Sequence, residues 1–276
     1  MSNFSHLHVH SDASLKDGLT PVFKLVEAAS KRGFDALALT DHGTLANAVS
    51  FALNCEERNI KPILGVEGYI RFGDRIGHIT VLADGDAGFS NLTKLQNKAH
   101  SDYVGSRRSF SVHDLISHAD NLIVLSGCVA SPFHQFPYDE AVSLAKRFKA
   151  AFGHRFFIEL MSVGDDPALW ERPQKLSRDL NIKQVLTNDA HFPLPEHAQI
   201  HPILTQIKAG FEYNSRELWL KTPAELKLRA SKLSIGDISE AMQRAYSIGN
   251  KIKKVNIKRK ASLPHIEKAD EKLKGL

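Results

Sequence analysis

Cysteine is nearly absent from this chain of 276 residues, where Cys55 and Cys128 are the two thiols. Two cysteines cannot build a disulfide framework, and they fit a reducing compartment. Long apolar runs are missing as well. None approaches the roughly 18 residues that a membrane-crossing helix needs, and the N-terminus MSNFSHLHVH has neither the basic start nor the apolar stretch of a signal peptide. The expectation is a soluble, cytoplasmic protein with no membrane partner. Internal repeats are lacking, and biased composition is confined to a Lys-rich end. Apolar residues, at 42%, are enough for a substantial core in one large domain or two small ones. The abundant residue is histidine, 14 in all, beside a formal net charge of +5. Histidine is both a metal ligand and a proton carrier near neutral pH.

The positive charge sits at one end. Residues 251–276 hold nine bases (Lys251, Lys253, Lys254, Lys258, Arg259, Lys260, Lys268, Lys272, Lys274) against Glu267, Asp270 and Glu271, a net of +6, which leaves −1 for residues 1–250. The expected organisation is a nearly neutral body, 1–250, and a basic C-terminal tail, 251–276. Such a tail is either a solvated, partly helical end or a surface for nucleic acid.

Periodicity in the body alternates between strand and helix. Apolar runs recur at His6–Val9, Ala36–Thr40, Pro62–Tyr69, Ile79–Ala83, Leu122–Leu125, Phe156–Leu160 and Lys183–Leu186. Amphipathic stretches lie between most of them, at Pro21–Lys31, Leu45–Glu57, Ala87–Lys98, Tyr138–Ala151 and Pro167–Leu180. Gly33 and Gly153 fit helix ends, where a left-handed backbone is cheapest for glycine. This alternation predicts an α/β fold with a mostly parallel sheet, and seven strand candidates favour closure into a barrel. Gly65–Gly77 leaves no room for a helix and predicts a hairpin. After Leu194 the pattern is helical, over Glu196–Lys208 and Ile238–Lys253.

Chemistry-bearing residues gather at strand ends. His8 and His10 are two apart in a strand-like run, so both rings share one face, an arrangement suited to one metal ion. Asp189 and His191 repeat that spacing after another run. Asp41-His42 follows the run at 36–40, Glu67 lies near the end of the next, and His78 begins a run that the hairpin turns antiparallel. In a barrel these positions open onto one face. Each has an ordinary alternative: Asp41 or Asp189 as a helix cap, Cys128 as a small buried apolar residue. Together they point to a polynuclear metal site.

The ordered motifs HLHVHSDASLKDG (His6–Gly18), LTDHG (Leu39–Gly43), GVEGY (Gly65–Tyr69), HITVLA (His78–Ala83), LSGC (Leu125–Cys128) and TNDAH (Thr187–His191) resemble the PHP (polymerase and histidinol phosphatase) domain. Within that family they resemble the domain at the N-terminus of the bacterial DNA polymerase III alpha subunit. The resemblance runs to about Pro264. It implies a distorted (βα)7 barrel, here with a helical C-terminal extension, and three divalent metal ions. His8, His10, Glu67 and Asp189 would hold the first. Glu67 would bridge to the second, shared with His78 and Cys128. Asp17, His42 and His191 would hold the third. Asp17 and Cys128 stand where phosphatase members more often carry histidine, which matches the polymerase branch. Three carboxylates and a thiolate without cations would repel one another. His6 shares the strand face and is read either as a support behind the ligands or as structural.

The implied chemistry is phosphate-ester hydrolysis, since divalent cations lower the pKa of water and neutralise phosphate oxygens. Glu67, Asp189 and His191 would be its catalytic residues. Arg107 or Arg108 would meet the substrate phosphate, the alternative being a solvated loop arginine. Zn, Mn and Fe all suit mixed N, O and S donors. The palm, thumb and fingers of a polymerase do not fit within 276 residues, so no polymerase activity is expected. Three functions are open: a 3′→5′ exonuclease on DNA or RNA, a phosphatase of a small monoester such as histidinol phosphate or a nucleotide, and a non-catalytic module bound to replication proteins. The ligand choice and the tail favour the first.

Overall fold

In a computed structural model, residues 3–101, 103–104, 107–161, 163–209 and 216–257 are described. Runs of aliphatic residues become strands where both of their faces are covered: Ala36–Leu39 (β1) and Phe156–Met161 (β8) are buried at every position, as in sheets flanked by helices. The others are Lys61–Phe72 (β2), Arg75–Ala83 (β3), Tyr103–Val104 (β4), Arg107–Arg108 (β5), Phe110–Ser111 (β6), Leu122–Leu125 (β7) and Gln184–Thr187 (β9). The main sheet runs β1-β2-β3-β7-β8-β9, with β6 added to β2 and β4–β5 as a separate ribbon. β3 is antiparallel to both neighbours, while β1–β2, β7–β8 and β8–β9 are parallel. The expected hairpin is this β2–β3 pair. It is longer than its apolar runs suggest, because the register continues out to Phe72↔Arg75, and Gly73 turns it at φ +59°.

The segment at His6–Val9 seals the sheet. Parallel bridges join His6 to Leu37 and Val9 to Ala190. The Ala38 N–H donates to His6 O and the His10 N–H to Ala190 O, both at 2.8 Å. With this stave the order closes on itself as a distorted (βα)7 barrel with one inverted strand, as expected.

Helices wrap the outside: Val22–Lys31 (α1), Ala48–Glu57 (α2), Gly85–Ser101 (α3), Val112–Ser117 (α4), Pro132–Gln135 (α5), Tyr138–Phe152 (α6), Ala168–Leu180 (α7), His201–Ala209 (α8), Pro223–Lys232 (α9) and Ser239–Lys251 (α10). α1 buries Val22, Leu25, Val26 and Ala29, the face that its period predicts. The helix expected over 196–208 begins instead as a 3₁₀ turn, Pro195–Gln199, and becomes α8 only at His201. Pro202 lacks a donor and is tolerated in a first turn, not in a helix interior. α9 escapes the periodicity because it buries only Leu226 and Ala230. Its start is marked nonetheless, by Pro223 and by a capping box between Thr222 and Glu225.

α10 lies against β9 and β1. A Cβ at Gly249 would fall 2.3 Å from Ser5 Oγ, so glycine lets the helix approach the closing segment. Beyond it the chain stays docked. Ile252 and Val255 are buried, and the N–H groups of Lys253 and Asn256 donate to Asp84 Oδ1 at 2.6 Å and Asp86 Oδ1 at 2.7 Å. Lys258, Arg259, Lys260, Lys268, Lys272 and Lys274 of the basic tail lie outside the described residues. Among the described residues no helix is long and apolar enough to cross a membrane.

Candidate metal centre

Local backbone chemistry presents each side chain at the carboxyl end of the barrel. His8 and His10 leave the closing segment on its inner face. β1 pairs with β2 only as far as Leu39↔Leu64, so Glu67 stands beyond the end of β1. There the Gly43 N–H donates to Glu67 O at 2.9 Å, which holds the Asp41-His42 turn beside it. Gly43 adopts φ +59°, and a Cβ there would meet the Tyr69 ring at 3.1 Å. Gly127, at φ +86°, turns the chain after β7 to deliver Cys128. Asp189, at φ +47°, does the same after β9; aspartate is among the side chains that tolerate this region.

All nine side chains expected to bind metal converge. Glu67 is at the middle, each of its oxygens facing a different pair of imidazoles. Oε1 lies 3.3 Å from His8 Nε2 and 3.1 Å from His78 Nδ1. Oε2 lies 3.6 Å from His10 Nε2 and 2.7 Å from His42 Nδ1. Asp189 Oδ1 is 3.4 Å from His8 Nε2 and 3.1 Å from His10 Nε2. Asp17 Oδ2 is 3.1 Å from His42 Nε2 and 3.8 Å from His191 Nε2, and Cys128 Sγ is 3.4 Å from His78 Nδ1. The atoms gather into triplets with room for a cation: His8–His10–Glu67, His42–Glu67–His78 and His10–His42–His191. These triplets cut across the expected three-way division, because His42 faces both Glu67 and Asp17.

The hydrogen bonds behind the rings decide what the ring fronts can do. His8 Nδ1 lies 2.9 Å from Glu159 Oε1. A carboxylate only accepts, so Nδ1 carries the proton. Ser14 Oγ donates to Asp41 Oδ1 at 2.8 Å and therefore accepts from His10 Nδ1 at 2.9 Å. In the neutral rings, Nε2 of both His8 and His10 is then a lone pair aimed at carboxylate oxygens. Among the described residues neither Nε2 makes a hydrogen bond, nor do Glu67 Oε1 and Oε2, Asp17 Oδ1 or Asp189 Oδ1. Lone pairs confronting anions call for a cation, and mixed N, O and S donors fit divalent metal ions.

Electrostatics carry the same signature. Burial disfavours the charged form of His8, but Asp189, Glu159 and Glu67 outweigh it and raise its pKa well above the ordinary value. Burial, with His191 and His42 adding to it, pushes His10 down to about 3. Burial also opposes charge on Glu67, yet His78, His8 and His42 hold its pKa well below the usual range. Cys128 is driven well above an ordinary thiol by burial and by the anions Glu67 and Asp189, so a thiolate there needs a cation.

Other expected residues fall elsewhere. Arg108 is exposed on β5, and no hydrogen bond or ion pair joins it to the centre among the described residues. Arg107 contributes backbone to β5, and its side chain lies outside the described residues. Of the two readings of His6 the structural one fits: its Nε2 lies 2.9 Å from Lys221 O and its ring meets those of Phe4 and Phe34 edge-on, and burial lowers its pKa to about 3. Sequence reasoning missed Glu159, although a lone acid inside FFIEL, an otherwise apolar run, is a usable signal. It also missed Ser14 as a relay and His201, whose Nε2 lies 2.9 Å from Asp17 O.

Comparison with known proteins agrees with this geometry. The PHP domain family matches residues 6–163, more than half of the chain. DNA polymerase III subunit alpha from Borreliella burgdorferi is 30% identical over 275 residues, which take in 91% of this chain and 24% of that protein. The Treponema pallidum subunit is 36% identical over 223 residues, 73% of this chain and 19% of that protein. The chain thus spans about a quarter or less of these relatives. An amidohydrolase from Chromobacterium violaceum, with bound sulfate and no metal, superposes with a TM-score of 0.51 at 16% identity, over 68% of this chain and 87% of that one. At that identity the likeness is one of fold.

Proposed function

We propose that this chain, which belongs to the PHP domain family, is a metal-dependent hydrolase of phosphate esters that shortens a nucleic-acid strand from its 3′ end. The observation that carries the reading is the meeting of the buried Nε2 atoms of His8 and His10 with carboxylate oxygens of Glu67 and Asp189 that make no hydrogen bond among the described residues. Supporting the nucleic-acid substrate is the similarity to polymerase III alpha subunits.

His8, His10, Glu67 and Asp189 would hold one metal, Glu67, His78 and Cys128 a second, and Asp17, His42 and His191 a third. When bound, such cations supply Lewis-acid charge to phosphate oxygens and lower the pKa of water. The side chains of His8, His10 and Glu67 are fully buried, whereas Asp17, His42 and His78 are 13–15% exposed. A phosphate therefore approaches across Asp17, His42 and His78, while His8, His10 and Glu67 keep the floor dry. Within this low-dielectric floor Glu67 and Asp189 stay ionised and ready to hold cations.

The test is the full-length protein, loaded with Mn(II) or Zn(II), given a 5′-labelled single-stranded oligonucleotide, p-nitrophenyl phosphate and histidinol phosphate in parallel. Stepwise shortening of the oligonucleotide is expected. Hydrolysis of the small monoesters alone would replace the nuclease reading by a phosphatase.

A further inference from the structure

Glu159 is a carboxylate sealed in the barrel interior, 1% exposed, and no metal is assigned to it. It is saturated with donors. Oε1 accepts from His8 Nδ1 at 2.9 Å and from Thr187 Oγ1 at 2.7 Å. Oε2 accepts from the Gly127 N–H at 2.6 Å and from Thr80 Oγ1 at 3.1 Å.

Those four donors come from four different staves of the barrel, each carrying a member of the centre. His8 is such a member. Thr80 lies two residues after His78 on β3, Gly127 immediately precedes Cys128, and Thr187 lies two residues before Asp189 on β9. One carboxylate thus ties together the backbones that present His8, Asp189, His78 and Cys128. A second set of hydrogen bonds fastens other members, among them His10, whose Nδ1 donates to Ser14 Oγ at 2.9 Å. Asp17 and His42 depend on the loop organised by Asp41, which accepts from the Ser11 N–H, Ser11 Oγ and Ser14 Oγ at 2.7, 2.7 and 2.8 Å. Ser14 Oγ in turn accepts from the His42 N–H at 3.1 Å.

We infer that Glu159 is a positioning residue that holds the first two metal sites in register and directs His8 Nε2 toward the metal, with a weaker hold on the third site, where it reaches only His191 through the Thr187–Asp189 segment. This rests on the metal-dependent reading above. The physical basis is that a ring with Nδ1–H anchored on a carboxylate has its Nε2 lone pair oriented and made more basic, and outer partners of this kind are worth 10–100-fold in metal affinity. The amide of Glu159→Gln would present N–H to groups that are themselves donors, so it breaks the tie with little change of volume.

The experiment measures metal content of the full chain by equilibrium dialysis, together with the near-ultraviolet thiolate-to-cobalt band in Co(II)-loaded protein, which reports Cys128. Wild type is expected to hold three ions and to show the band. Glu159→Gln is expected to fall to one ion and lose the band, with its metal-free circular dichroism unchanged. Should Glu159→Gln fail to fold, Thr187→Val removes one donor while keeping shape, and is expected to weaken the same two sites about tenfold. Three ions with wild-type affinity in the variant, or equal weakening at all three sites, would overturn the assignment alone. A wild-type chain without metal would overturn the underlying reading with it.

Discussion

An imidazole becomes a metal ligand only when something behind it decides which nitrogen keeps the proton. Under the proposed reading Glu159 would do this for His8, and Ser14, backed by Asp41, for His10. Most members of the centre are legible in sequence, because histidines and acids recur in order at the ends of successive apolar runs; Asp17 and the complete set of nine come only from the resemblance to the PHP domain. Their supports are not legible: Glu159 meets a histidine 151 positions away, and Ser14 an aspartate 27 away, spacings that leave no local pattern. Asp189 offers the sharpest test at this scale. Asn also tolerates its left-handed backbone, so Asp189→Asn removes charge without strain. Hydrolysis is expected to drop by about 10³-fold or more, as when a group acting in the transition state is lost, with circular dichroism unchanged. Wild-type turnover in that variant would place the chemistry elsewhere.

Elements follow their periodicity where one face is apolar over several turns, as in α1 and α6, and depart from it where few residues are involved. α5 has four residues, too few for a period to be visible, yet it buries Pro132 and Phe133. Its His134 is held neutral: burial first, and then Arg172, lower its pKa to about 4. As pH falls below the ordinary value of 6.5, the unfolded chain takes up a proton that the folded imidazole refuses until about pH 4. Stability from this group is therefore full above about pH 6.5 and is lost as pH drops toward 4. His134→Gln should flatten that part of the stability curve by about 1–2 kcal/mol near pH 5, read from thermal midpoints across pH. An unchanged slope would show that His134 titrates normally in the folded protein.

At the scale of the whole molecule, closure of the barrel brings the strand ends together, and the chain beyond α10 helps to hold it closed. Ile252 and Val255 are buried against the core, so removing residues 251–276 is expected to destabilise the fold by about 3–5 kcal/mol, the worth of two buried aliphatic side chains. Removing only residues 258–276 spares them. That shorter deletion is expected to leave folding and small-ester turnover intact while raising the apparent KM for DNA and flattening its salt dependence, since it removes cations able to release phosphate counterions. Equal effects on both substrates would argue against substrate capture by the tail. The sequence by itself determined the alternation of strand and helix, the β2–β3 hairpin and the order of nitrogen, oxygen and sulfur donors at strand ends, because each depends on residues close together along the chain. Only the tertiary structure decided that the closing segment joins β1 to β9, that Glu67 faces four imidazoles at once, and that Glu159 ties four staves beneath them. Those outcomes depend on contacts between distant residues, which exist only once the barrel has buried its core and fixed the distances between its strands.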